Sequence, residues 1–139
     1  MIVLTTSSAQ VLAVGQALVF DTALLNTNKC NCHNSRRNSG GVYAGKNGIY
    51  KVTFNGNITS TATGLAELQV EVNGVAMPET AMLETIATAA NIANVGASTA
   101  IANCCGSSST FTVVNTGAIP VTVSAGACII VEHICDKCC

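Results

Sequence analysis

Charge is what this sequence has least of. Asp, Glu, Lys and Arg make up 9% of its 139 residues, against roughly 25% in an average globular chain. Six basic and seven acidic residues leave a net charge of −1, which gives no electrostatic footprint for nucleic acid or for an anionic membrane surface. Tryptophan is absent, proline occurs twice, and aromatic residues reach only 4%. A hydrophobic content of 49% excludes a disordered chain, because disorder pairs low hydrophobicity with high charge. Membrane-spanning runs are missing too. No Asp, Glu, Lys or Arg occurs between Thr85 and Val131, yet Asn, Ser, Thr and Gly interrupt that stretch well before about 20 apolar residues accumulate. Met1–Ser8 has no basic start and no long apolar core, so it does not read as a secretory signal.

What is present is period-two alternation punctuated by turn residues. Residues 2–6 and 10–14 are apolar and β-prone, and Ala17-Leu18-Val19-Phe20 resumes after Gly15. Residues 21–41 read as a polar loop carrying Cys30, Cys32, His33 and the one basic pair, Arg36 and Arg37. The clearest strand is Gly48–Ile58, with Tyr50, Val52, Phe54 and Ile58 on one face and Lys51, Thr53, Asn55 and Asn57 on the other. Leu68, Val70 and Val72 alternate with Glu67, Gln69 and Glu71 in the next, and Asn73-Gly74 closes it with a strong hairpin signal. Residues 81–102 are ambiguous. Met82, Leu83, Ile86 and the alanines favour helix, while the threonines, Val95 and Gly96 favour strands; the reading adopted is two strands around an Ala/Asn-rich loop. Thr110–Val114, Val121–Val123 and Cys128–Ile134 follow as short strands. Residues 1–139 are thus predicted to form one all-β domain, a sandwich or barrel of about eight to ten antiparallel strands, with 1–6 and 135–139 as candidate assembly arms.

The segment Gly48-Ile49-Tyr50-Lys51-Val52-Thr53-Phe54 resembles the glycine-x-tyrosine strand of the complement globular-head and tumour-necrosis-factor-like jelly rolls. Phe111–Gly117, followed by Val121-Thr122-Val123 and Ile129-Ile130-Val131, is similar to the C-terminal half of short bacterial and phage-borne versions of that fold. The resemblance implies a jelly roll of about ten strands, commonly assembled as a trimer, that acts in display or adhesion without catalysis. A looser likeness is to the cysteine-linked jelly-roll subunits of bacterial endospore appendages.

Eight cysteines are the strongest chemical signal: Cys30, Cys32, Cys104, Cys105, Cys128, Cys135, Cys138 and Cys139. Such an even, dense set points to an oxidising destination or a metal. Neighbouring side chains on a strand point to opposite faces, so Cys104 and Cys105 are expected to serve different partners, as are Cys138 and Cys139. Bonds between subunits, four bonds within the chain, and free thiols all remain open. A tetrahedral zinc set from Cys30, Cys32, His33, Cys135 and Cys138 is the metal alternative. Thioredoxin-like chemistry fits less well, since Cys135-Asp136-Lys137-Cys138 follows a strand instead of opening a helix. His133 continues a strand alternation and reads as structural. Glu67 and Glu71 lie on one strand face about 13 Å apart, too far for paired acid–base work. Glu79 and Glu84 have no evident partner. No catalytic constellation and no cofactor is predicted.

The expectation is a non-enzymatic structural protein that packs with copies of itself, as trimer or filament, with intersubunit disulfides. Its place would be an extracellular spore or cell appendage, reached without a secretory signal. A virion decoration or fibre head, trimeric and binding a receptor or carbohydrate, is the alternative; a small zinc or thiol-redox protein is a further one.

Overall fold

The computed structural model describes residues 1–26, 35–38, 40–44, 47–103 and 108–135. In chain order the strands are β1 (Ile2–Thr5), β2 (Gln10–Leu12), β3 (Thr22–Asn26), β4 (Ser35–Asn38), β5 (Gly41–Ala44), β6 (Gly48–Thr59), β7 (Gly64–Val72), β8 (Val75–Ala76), β9 (Met82–Ile86), β10 (Ala93–Asn103), β11 (Ser109–Asn115), β12 (Val121–Val123) and β13 (Cys128–Cys135). One 3₁₀ turn, Pro78–Thr80, separates β8 from β9.

Alternation in β6 builds the centre of the molecule. Tyr50, Val52, Phe54 and Ile58 are buried and Lys51, Asn55 and Asn57 are exposed. On one side β6 pairs with β10 along its length, and on the other with β13 and then β12. β1 and β2 lie along β13 and β12 in turn, and β3 forms the outer edge. The second sheet runs β4, β5, β11, β7, with β8 and β9 sharing the far flank of β7. Counted as continuous lines, the described strands make five in each sheet, and every ladder is antiparallel. This is a jelly-roll sandwich.

The chain crosses between the sheets after β2. Gly15 N–H donates to Asn115 C=O at 2.7 Å, and Leu18 N–H donates to Val113 C=O at 2.7 Å, so residues 15–18 prolong the line of β5 beside β11. The crossing delivers Leu18 and Phe20 into the core, where Phe20 meets Phe54 edge to face with centroids 6.3 Å apart. Tyr50 and Phe111 join the two sheets at 6.1 Å. At the far turn the buried Asn115 donates to the carbonyls of Leu12 and Ile119, each at 3.0 Å, and accepts from Gly117 N–H. All its polar atoms are thereby occupied where burial would otherwise cost stability.

Residues 81–102 form the two strands expected, β9 and β10, around a loop. The polar loop expected over 21–41 requires correction, because it contains β3 and β4 and the start of β5. Ala23, Leu24, Leu25 and Asn26 of β3 are all exposed. With neither face buried, that strand has no alternation to reveal it; among the described strands it pairs with β1. Residues 1–6 carry β1, which is hydrogen-bonded on both sides within the chain, with Ile2 and Leu4 fully buried. To bridge subunits, that segment would have to leave both ladders.

Candidate assembly surface

The outward face of the seven-stranded sheet is broad and almost uncharged. Its five lines span about 24 Å and the length of β6 about 40 Å. That is enough for the roughly 800 Å² per partner of a stable protein interface. Register builds it in rows. One row runs Leu25, Val3, Ile130, Thr53 and Ser98 across β3, β1, β13, β6 and β10. Its first three members are apolar and its last two share a hydroxyl hydrogen bond of 2.9 Å. The adjacent row holds Thr5, Cys128, Asn55 and Gly96. Asn94 Nδ2 donates to Asn57 Oδ1 at 3.0 Å and to Asn55 Oδ1 at 3.3 Å, so amides satisfy one another at the β10 end. Lys51 and Glu132 are the charges among these rows, and they stand directly opposite each other on β6 and β13, which lowers the cost of covering them.

Two features of this face escape sequence reading. The register slips between Val3 and Leu4, so β3 bulges and both Leu24 and Leu25 are exposed, at 65% and 39%. The amide cluster depends on β10 lying beside β6, a long-range pairing that no local pattern announces. The Asn/Ala richness of residues 91–102 is the one signal that pointed there.

Of the cysteines, Cys128 and Cys135 are described, and both are free thiols. Cys128 is half-buried within the face, and burial pushes its thiol above the ordinary value. That keeps it protonated and a poor nucleophile at neutral pH. Cys135 is exposed at the end of β13. Cys30, Cys32, Cys104, Cys105, Cys138, Cys139 and His33 lie outside the described residues, so of the zinc set only Cys135 is described. Among the described residues no group of three His, Cys, Asp or Glu converges as metal ligands would. His133 packs its ring against Tyr50 at 5.1 Å. It also lies against Gly48, where a Cβ would collide with the imidazole and stand 2.8 Å from Cys135 C=O.

The carboxylates do not assemble. Glu67 and Glu71 face out from β7 on the other sheet, with Gln69 Nε2 donating to Glu67. Glu84 lines a shallow open groove where β9 and β10 adjoin, walled by Ala81–Glu84 and Asn94–Gly96. Glu84 is the sole ionisable group of that groove, which supplies no acid–base pair.

No protein-family model matches the chain, and no curated protein matches it in sequence. Among solved structures, Eiger TNF from S. frugiperda superposes with a TM-score of 0.77 at 10% identity, covering 99% of this chain and 94% of that one. CBM35 from Cellvibrio japonicus Abf62 overlaps at a TM-score of 0.36 and 14% identity, over 95% of this chain and 100% of that one. The CBM22-1–GH10 modules of Clostridium thermocellum endo-1,4-β-D-xylanase 10B overlap at 0.35 and 12%, over 98% and 28%. Scores that low carry no argument. The first likeness spans both chains almost end to end and shows that the fold is a TNF-like jelly roll.

Proposed function

We propose that this chain is a non-enzymatic structural protein that assembles with copies of itself, a trimer being the unit, in an extracellular spore or cell-surface appendage. The outer face of the seven-stranded sheet carries this reading. It is wide enough for a stable interface, apolar along Leu25, Val3 and Ile130, and nearly free of charge. A partner that matches such a face needs no complementary charge, and a protein of net charge −1 meets its own copies with little repulsion. Covering Thr, Ser and Asn costs less desolvation than covering ion pairs. Intersubunit disulfides then add kinetic persistence to the noncovalent contact.

The test is light scattering on the full chain at micromolar concentration with reductant present. A mass of three times 14.1 kDa is expected, and a monomer would remove the reading. The TNF-like fold, shared over 99% of this chain, favours a second reading: a discrete trimeric head, as on a virion fibre, for adhesion or receptor binding. Electron microscopy separates the two, because an appendage subunit forms strings and a head forms isolated particles.

A further inference from the structure

Hydrogen-bond direction decides what β10 offers to a neighbour. Asn57 C=O accepts from Ser124 N–H at 2.9 Å, so the odd-numbered residues of β6 turn their backbone groups toward β12 and β13. Backbone groups point to alternate sides along a strand, and the even-numbered residues of β6 therefore face β10. Phe54 stands opposite Ala97, and Gly56 opposite Val95. On β10 the odd-numbered residues accordingly bond to β6. Asn94, Gly96, Ser98, Ala100 and Ala102 direct their N–H and C=O groups the other way, and among the described strands β10 pairs with β6 alone.

This edge is 11 residues long, about 34 Å at strand rise. Charge, proline and bulges are the ordinary means of keeping an edge from pairing. β10 has no charged residue and no proline, and its register against β6 runs from Ala93 to Asn103 without a shift. The core also reaches solvent on this side. Four of the five described core side chains that keep more than 1% exposure, Met82, Ile86, Val95 and Ile101, lie on β9 and β10. The groove walled by Ala81–Glu84 and Asn94–Gly96 lies at the same opening.

Residue order about Ser98 is self-complementary. The small Gly96 and Ala100 stand two places to either side of it, and the β-branched Val95 and Ile101 stand three. We infer that β10 of a second copy completes this edge, antiparallel about a two-fold axis at Ser98. Ser98 then pairs with Ser98 of the second copy, Gly96 with its Ala100, and Asn94 with its Ala102, so every outward N–H and C=O of the ladder finds a partner. Val95 meets Ile101 of the second copy over the core opening, a cross-strand pair of the kind that stabilises sheets. Glu84 adjoins Asn94, and the axis sets the two Glu84 carboxylates at opposite ends of the ladder. The inference rests on the self-assembly reading and adds a two-fold contact at the rim of the face used there. Such a contact between identical edges closes on two copies, so it joins one unit to the next. Backbone hydrogen bonds contribute modestly net, so this contact forms at higher concentration than the one on the outer face.

Hydrogen exchange on the reduced full-length protein, read residue by residue at micromolar and at millimolar concentration, tests this. The amides of Asn94, Gly96, Ser98, Ala100 and Ala102 are expected to exchange freely in dilute solution and to slow on concentration, while those of Val95, Ala97, Thr99 and Ile101 are slow in both. Ala100→Pro removes an outward N–H and leaves the β6 ladder intact, as proline does on an edge strand. It is expected to weaken the concentration-dependent association about tenfold, because the axis removes two bonds per substitution. Ala100→Ser associates like the native chain. Three results overturn the inference: the five outward amides stay fast at millimolar concentration, they are already slow in dilute solution, or the β3 amides slow in step with them, which makes β3 the partner strand. Light scattering in reductant keeps the two ideas separate. A single chain in dilute solution that becomes two on concentration, with the five amides slowed, removes the outer-face trimer and leaves this contact standing. Three chains at both concentrations with those amides fast keeps the trimer and removes the contact.

Discussion

Thr80 repairs the gap that the 3₁₀ turn opens between β8 and β9. Its Oγ1 accepts the Val70 N–H at 2.8 Å and donates to Met77 C=O at 2.7 Å, and the residue is 1% exposed. Met77 N–H in turn donates to Val70 C=O at 2.8 Å, so a side chain and a turn replace a missing ladder rung. Thr80→Val keeps the shape and strands a buried N–H, which costs about 1–3 kcal/mol. Urea denaturation should show that loss as a lower midpoint with an unchanged slope, while Thr80→Ser should recover most of it. Asp21 answers to pH instead. The Ser7 hydroxyl, then the Ser7 N–H, hold its carboxyl below the ordinary 3.8. A carboxyl lowered on folding stabilises the native state above its unfolded value, and that contribution disappears as pH falls through the folded value. In Ser7→Ala the Asp21 carboxyl is expected to titrate closer to 3.8 by carbon-detected NMR. An unchanged titration would show that the hydroxyl is not the cause.

Strands with one buried face were legible in the sequence, and strands without one were not. β6 and β7 alternate because the core lies on one side of them, and their inward residues Tyr50, Val52, Phe54, Leu68 and Val70 are buried as expected. β3 has no buried face, so its pairing with β1 left no trace in residue type. β9 and β10 were legible only by weighing threonine and glycine against alanine. The hairpin after β7 was marked outright, because Asn73 and Gly74 adopt φ of 53° and 82°, as a two-residue type I′ turn demands. Around Gly74 a Cβ would meet nothing within 4 Å. Gly74→Ala therefore isolates the backbone penalty, about 1–2 kcal/mol, and thermal unfolding should show it as a lower midpoint without loss of fold. A larger loss would mean that the turn sets register beyond its own conformation.

At the scale of the whole molecule, sequence showed a chain poor in charge and dense in cysteine, but not which face its apolar outward residues share. Leu25, Val3 and Ile130 are far apart in the chain, and a row exists only because β3, β1 and β13 are neighbours. Ile130 is the member best placed to test the face. It projects outward from an interior line, between Val3 and Thr53, while Ile129 and Val131 beside it carry the core contacts. Ile130→Lys puts a charge where a second copy would have to desolvate it, against a cost of several kcal/mol for an unpaired buried ion. The folded monomer loses little, since the ammonium reaches water along a flexible stem. Light scattering in reductant should then report 14.1 kDa where the native sequence gives a multiple of it, with the thermal midpoint of the monomer nearly unchanged. Ile130→Leu, which keeps the apolar row, should assemble like the native chain. If Ile130→Lys still forms the full oligomer, the outer face of the seven-stranded sheet is not the contact. The exposed β3 edge, with Leu24 at 65% exposure, then becomes the surface to mutate, because among the described strands β3 pairs on one side, with β1, and an open strand edge invites a second copy.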